Sequence, residues 1–274
     1  MALMAQRRWI MPKKARDVPD GIPALVAQVL ACRGFAAAEM AAFLAARPTE
    51  EGPPMLDLDT AVERLRRALA ARERIVVYGD YDVDGIAGSA ILVRAFRQLG
   101  VVVGAYIPNR YEEGYGLNAG ALRHLAQDGA KVIVTVDCGI TAVAEARLAR
   151  ELGVDLIVTD HHHPPAELPD AYALVNPRRP GDPSLDKELA GAGVALVLAK
   201  RLLGDLGFGL RQDELLQLCA LATVADVVPL RGGNRVLTRL GLEALNRAPI
   251  VGVRASPDLV IRGVRTRGSI RLRT

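Results

Sequence analysis

The chain has 274 residues, half of them hydrophobic but only 4 % aromatic, with a formal net charge of +4. This allows one large domain or two small ones around a core of Ala, Val and Leu. Six arginines against one aspartate put +5 into residues 250–274 and leave −1 in 1–249, so overall charge is poor evidence for a nucleic-acid partner.

In chain order, Leu25, Val26, Val29 and Leu30 share one face of a predicted helix that ends at Arg33-Gly34. A second short helix, 38–45, is closed by Pro48 and Pro53-Pro54. Thr60 and Glu63 have the spacing of a capping box for a helix through Val62, Leu65 and Leu69. Strand and helix patterns then alternate. Strands are expected at 74–78, 101–107, 131–136, 154–159 and 173–176. Helices are expected at 85–99, 118–127, 141–152, 191–204 and 212–224, with a Pro-rich loop over 177–187. Such alternation means βαβ units and a mostly parallel sheet flanked by helices. The expected division is a helical amino-terminal extension, 1–57, an α/β domain, 58–249, and a basic tail, 250–274.

Cys32, Cys138 and Cys219 are odd in number and widely spaced, which excludes a disulfide framework or a zinc spacing and fits a reducing cytosol. Arg7 and Arg8 are followed by Pro12, Lys13 and Lys14 rather than an apolar run, and no stretch reaches the length of a membrane span. A soluble cytoplasmic protein without a membrane partner is expected.

The chemistry gathers at predicted strand ends. Asp80, Asp82 and Asp84 follow the first strand in a stretch, 75–92, that contains no Lys or Arg. Like charges packed together repel unless something positive sits among them, so a divalent cation is the natural candidate. Asp137 follows the strand at 131–136, and Asp160, His161, His162 and His163 follow the strand at 154–159. These are the carboxyl ends where open α/β sheets bind ligands. Asp226 comes after the last predicted helix and completes the set. Carboxylates with imidazoles suit Mn²⁺, Mg²⁺ or Zn²⁺, and no thiolate set favours zinc. So many ligands exceed the needs of one ion, while two ions about 3.5–4 Å apart would use them in phosphoryl chemistry. A single Asp after a strand is commonly a turn or cap residue, and His124 reads as a surface residue. The joint pattern, with three of four histidines contiguous, points to a site. Arg110, in the glycine-rich stretch 108–116, reads either as a phosphate contact or as a solvated turn residue. Gly191-Ala192-Gly193 reads either as an approach to a ligand or as tight packing.

Asp80-Tyr81-Asp82-Val83-Asp84-Gly85, Val136-Asp137-Cys138-Gly139, Asp160-His161-His162 and Ala225-Asp226, in this order, resemble the DHH phosphoesterases. The stretches 79–85, 110–116, 160–164 and 191–194, with Trp9, Pro12, Arg33-Gly34 and Phe43-Leu44, are similar to the RecJ exonucleases within that family. The resemblance covers about residues 9–249. It implies metal ligation by Asp80 or Asp82, Asp84, Asp137, His161 and Asp226, with Asp137 bridging two Mn²⁺ or Mg²⁺ ions. It implies His162 at the scissile phosphate, Asp160 orienting the imidazoles, and Arg110 and His163 on substrate phosphate. The implied activity is 5′→3′ hydrolysis of single-stranded DNA in repair and recombination, with a single-strand-binding protein and a RecQ-type helicase as partners. The family continues into a second domain and an OB-fold, so a truncated or frame-shifted continuation is expected after residue 249, or alternatively a basic arm. Rival expectations are another DHH activity (pyrophosphatase or short-oligonucleotide phosphodiesterase), an inactive metal- and nucleic-acid-binding fragment, and a haloacid-dehalogenase-like phosphatase with Asp82 as nucleophile.

Overall fold

A computed structural model describes residues 18–47, 52–204 and 212–255. Trp9, Pro12 and Pro48, together with the tail beyond residue 255, lie outside the described residues. The chain divides into two compact units, with the division between residues 49 and 50.

The first unit contains α1 (Ala24–Cys32) and α2 (Ala37–Ala45), bent 105° to each other. Glu39 caps α2 by accepting from the Ala36 amide at 2.9 Å. The small core is Ala27, Leu30 and Met40, backed by Ile22, Val26, Phe35 and Phe43. The expected face of α1 is only half right, since Leu30 is buried but Leu25 is 76 % exposed. In a helix of nine residues packed against one neighbour, only a narrow stripe is covered, and Ala27 rather than Leu25 lies on it. Among the described residues no single helix is long and apolar enough to cross a membrane.

The second unit opens with α3 (Leu58–Ala70) and continues as β1 (Arg74–Gly79), α4 (Val83–Gln98), β2 (Gly104–Tyr106), α5 (Ala119–Gln127), β3 (Ala130–Val136), α6 (Val143–Glu151), β4 (Asp155–Thr159) and β5 (Ala173–Val175). Four helices follow: α7 (Gly191–Leu203), α8 (Gln212–Ala225), α9 (Gly232–Arg247) and α10 (Val251–Ala255). The five strands form one parallel sheet in the order β2-β1-β3-β4-β5, as the alternating pattern predicts. Alternate side chains feed two cores. Ile75 and Val77 face α3, α4, α7 and α8, whereas Val76, Tyr78 and Ile133 face α5 and α6. Burial on both faces is why these strands read as near-continuous apolar runs.

Three local expectations change. The Thr60–Glu63 capping box does not form. Helix α3 starts at Leu58 behind Asp57, whose carboxylate holds Arg179 at 2.6 Å and the Leu174 amide at 3.2 Å. That tertiary anchoring moves the helix start ahead of the local signal. Strand β2 shrinks to three residues because it is an edge strand paired only with β1, and Val102 is left exposed. Helix α9 has no counterpart among the expected elements. Its first turn is held by Asp186, which accepts from the Gly233 amide at 2.8 Å, a cap too remote in sequence to be read locally. At Gly241 a Cβ would collide with the Leu216 carbonyl, so glycine there permits the close crossing of α8 and α9.

Candidate metal centre

The strand order reverses between β1 and β3, the switch point at which a crevice opens beyond the carboxyl ends of parallel strands. Three aspartates lie one residue past adjacent strand ends. Each is pinned there by its own amide. Asp80 donates to Val136 O at 3.1 Å, Asp137 to Thr159 O at 3.0 Å and Asp160 to Val175 O at 3.1 Å. The sheet ladder therefore fixes three carboxylates side by side.

Asp82 and Asp84 come from the start of α4. Asp82 is its N-cap and accepts from the Asp84 and Gly85 amides at 2.8 and 2.9 Å. Asp84 is buried and accepts from the first amides of α7, Gly191 at 2.6 Å and Ala192 at 2.7 Å. A helix N-terminus suits a carboxylate. The Gly191-Ala192-Gly193 start thus approaches a carboxylate of its own chain. It also leaves room for a second one, since a Cβ on Gly191 would sit 2.7 Å from the Asp137 Cβ.

Around Asp137 the acids and imidazoles converge. His161 Nε2 lies 3.0 Å from Asp137 Oδ1, 3.6 Å from Asp84 Oδ2 and 3.6 Å from Asp226 Oδ2. His162 Nδ1 lies 2.8 Å from Asp160 Oδ1 and 3.8 Å from Asp137 Oδ1. Three overlapping groups result, each with its ligand atoms within 4.8 Å of one another: Asp84, His161 and Asp226; Asp137, His161 and His162; Asp80, Asp82 and Asp137. Asp137 and His161 each belong to two of them. Asp137 Oδ1, His161 Nε2 and Asp80 Oδ1 are buried without a hydrogen-bond partner. Asp137 Oδ1 and His161 Nε2 are close but not aligned for a hydrogen bond, which is how two atoms aimed at a third, a cation, would be arranged. The donor set of carboxylate oxygens and imidazole nitrogens fits Mn²⁺ or Mg²⁺.

The electrostatics agree. Burial pushes the Asp84 carboxyl up to about 6, against the pull of the Ala192 amide and His161. Asp137 is raised much further, by burial first and then by Asp84, Asp82 and Asp160. Asp80 and Asp226 are raised as well, again chiefly by burial. These acids lack enough positive charge within the protein. Asp160 behaves differently. Burial works against its charge, but hydrogen bonds from His162 and the Ile140 amide hold it below its ordinary value. It also accepts from the His161 and His162 amides, so it holds the His162 ring and the backbone of both histidines rather than joining a cluster. The Asp160 bond raises His162 to about 9, with burial opposing. With Nδ1 committed to Asp160, Nε2 is the atom His162 can offer a substrate.

Of the sequence-predicted residues, Asp80, Asp82, Asp84, Asp137, Asp160, His161, His162 and Asp226 come together. His163 is exposed and joins none of the three groups. Arg110 is exposed outside the groups, its guanidinium 5.1 Å from the Tyr81 ring centroid. Tyr81 meets Tyr115 edge-on at 6.3 Å, and Tyr115 meets His162 at 6.0 Å, so Arg110 is linked to the centre through aromatic rings. Sequence reasoning missed Tyr115 itself, whose hydroxyl lies 3.4 Å from both the Asp137 carbonyl and His162 Nδ1. Its place in a glycine-rich stretch after a strand was the available signal. It also missed Asn234, fully buried, which accepts from the Ala190 amide and donates to the Glu188 and Pro229 carbonyls. Asn234 thereby ties the start of α7 to the loop that carries Asp226.

A family model described as the DHH family, N-terminal domain, matches residues 74–223. The chain belongs to the DHH family. Its sequence is 42 % identical over 261 residues to the single-stranded-DNA-specific exonuclease RecJ of Bacillus subtilis, covering 92 % of this chain and 33 % of that protein. A solved structure of exonuclease RecJ bound to manganese aligns with a TM-score of 0.67 at 41 % identity, covering 75 % of this chain and 52 % of that one. RecJ in complex with Mn²⁺ from Thermus thermophilus aligns with a TM-score of 0.70 at 36 % identity, covering 86 % and 33 %. The DHH chain spans about a third of the length of the B. subtilis relative.

Proposed function

We propose that this DHH chain carries the metal centre of a single-stranded-DNA-specific 5′→3′ exonuclease of the RecJ type, acting in the cytoplasm in DNA repair and recombination. The observation that carries the reading is the convergence of unpartnered buried carboxylate and imidazole atoms on Asp137 at the switch point of the sheet. The 42 % identity to a RecJ exonuclease supports the choice of substrate. Asp80 or Asp82, Asp84, Asp137, His161 and Asp226 would hold two Mn²⁺ or Mg²⁺ ions, with Asp137 common to two of the ligand groups. When bound, such ions supply Lewis acidity at the phosphoryl oxygens and an acidified water as nucleophile.

The chain's own residues do the rest. Asp137 and His161, each in two clusters, set the spacing of the ligand groups. Asp160 fixes the His162 ring and favours its protonated form. His162 Nε2 then gives a proton to the leaving 3′ oxygen as the phosphodiester bond breaks. Arg110, over Tyr81, takes a phosphate at the mouth of the site, and His163 assists from the exposed side. Single-stranded DNA is the partner assigned, with a single-strand-binding protein and a RecQ-type helicase as the wider set.

The test is release of nucleoside monophosphates from 5′-phosphorylated single-stranded DNA in the presence of Mn²⁺. Asp137→Ala or His161→Ala should reduce it at least a thousandfold, with circular dichroism unchanged. Full activity in both variants would sink the reading. Hydrolysis of pyrophosphate or dinucleotides instead would move the chain to another DHH activity.

A further inference from the structure

Asp137 has φ +63. Few residues other than glycine adopt this left-handed conformation, and where one does the surroundings must hold it there. Its amide is fixed by Thr159 O, which settles only one side of the residue. On the other side its carbonyl faces the Tyr115 hydroxyl at 3.4 Å, and the chain runs on through Cys138 to Gly139. The carbonyl of Cys138 accepts a hydrogen bond from the Thr135 hydroxyl at 2.7 Å. Thr135 is fully buried. It points from β3 into the apolar core shared with α5 and α6, on the same face as Ile133.

The same hydroxyl has a second bond. The paired register of β3 and β4 runs from Val132↔Asp155 to Val134↔Ile157. At the next level two threonine hydroxyls bridge the strands. Thr135 Oγ1 accepts from the Thr159 amide at 3.2 Å, and Thr159 Oγ1 donates to the Thr135 carbonyl at 2.6 Å. This crossed pair ties the two strands together at their carboxyl ends, where Asp137 in turn donates to Thr159 O. Gly139 packs against the same hydroxyl, since a Cβ on it would lie 3.2 Å from Thr135 Oγ1.

A buried threonine in a strand commonly does no more than satisfy its own hydroxyl. Thr135 differs in what it holds, namely the Cys138–Gly139 peptide, one residue beyond a left-handed residue whose carboxylate is shared by two ligand groups. We propose that Thr135 is a positioning residue that keeps Asp137 in its left-handed conformation and its carboxylate at the centre of the metal site. The proposal rests on the reading of that site as a divalent metal centre. Residues that orient metal ligands in this way typically change metal affinity by about 10–100-fold when replaced.

The experiment is Mn²⁺ binding to the full chain, followed by loss of the free-ion electron paramagnetic resonance signal, with melting recorded by circular dichroism. The variants are Thr135→Val, which keeps the shape and removes the hydroxyl, Thr135→Ser, which keeps the hydroxyl, Asp137→Ala, and Leu125→Ala in the α5 core as a control for stability. Thr135→Val should bind Mn²⁺ about tenfold more weakly. Thr135→Ser should restore affinity to within about twofold, and Leu125→Ala should melt at a lower temperature yet bind as the parent does. Thr135→Val binding as tightly as the parent, with Asp137→Ala impaired, would overturn the role of Thr135 and leave the metal centre standing. So would Thr135→Ser binding no better than Thr135→Val. Undiminished binding by Asp137→Ala would instead overturn the metal centre itself. If Thr135→Val does not fold, Thr135→Cys, with a weaker donor, takes its place under the same criteria.

Discussion

The two edges of the sheet carry acidic residues with opposite fates. At the amino edge Arg64 of α3 reaches Asp155 at the start of β4 and Glu73 just before β1, at 2.5 and 2.7 Å. Both carboxylates there have a cation from the chain. The two together outweigh the effect of burial and raise the Arg64 pKa. At the carboxyl edge Asp80, Asp84 and Asp137 face backbone amides and imidazoles, Asp226 has the pull of Arg178 besides, and all four are still pushed up, chiefly by burial. The contrast separates an acid that holds the fold from an acid that waits for a ligand. The first is neutralised within the protein, and the second is packed against its own kind.

The largest expected effect follows from that difference. Asp84 titrates near 6 when folded and near its ordinary 3.8 when not, with burial as the main cause. Over that interval the folded protein keeps a proton that the unfolded chain has lost, so this carboxyl contributes stability below pH 4 that is lost as pH rises through 6. A divalent cation binds the ionised form, and its stabilisation must grow over the same range. At a hundred times its dissociation constant a ligand adds about 2.7 kcal/mol, or roughly 5–10 °C for a chain of this size. Melting with and without Mn²⁺ at pH 4 and pH 7 should show little shift at the lower pH and the full shift at the higher. A shift independent of pH would mean that the raised carboxylates are not the ligands.

The amino edge should answer in the opposite way. Arg64→Met leaves Asp155 and Glu73 without a cation. Removing one partner of a fully buried pair costs about 3–5 kcal/mol. The Glu73 and Asp155 side chains are 31 % and 41 % exposed, which lowers the expectation to about 2 kcal/mol. Denaturant melts would measure it, and Mn²⁺ affinity should not change. A variant that loses affinity for the metal as well would show that the two edges are coupled through the sheet.

Much of the carboxyl edge was legible in the sequence because strand periodicity locates strand ends, and at strand ends a short motif is enough to place a side chain. Asp137 and the Asp160-His161-His162 run could be assigned to one edge before any fold was known. What could not be read depends on contacts between remote segments. Nothing local tells that the first amides of α7 hold Asp84, that Asp186 starts α9, or that Asn234 joins two loops of the site. The left-handed turn at Asp137 was equally hidden, since aspartate in that conformation carries no mark in the sequence. The Thr60–Glu63 spacing shows the reverse error, a local signal overridden by the anchoring of Asp57.

The smallest expected effect lies at the carboxyl edge, in the loop after β2 that carries Arg110 and Tyr115. Glu113 organises that loop from within. One of its carboxylate oxygens accepts from the Tyr106 hydroxyl and from Asn118 Nδ2 at 3.1 Å, and the other accepts from the Asn109 amide at 2.7 Å. The bond from Tyr106, followed by that from Asn109, holds Glu113 below its ordinary pKa. Like the amino-edge acids, then, it is satisfied inside the protein, although by neutral donors. Glu113→Gln turns one oxygen into a donor that must face another donor, with a cost of about 1 kcal/mol. The loop loosens while Asp137 and His161, held by the sheet, stay in place. Turnover of 5′-phosphorylated single-stranded DNA should show KM raised about fivefold, with kcat and Mn²⁺ affinity within about twofold of the parent. A fall in Mn²⁺ affinity would place Glu113 with the ligand-holding acids and blur the distinction between the two classes. An unchanged KM would remove Arg110 and Tyr115 from the substrate path.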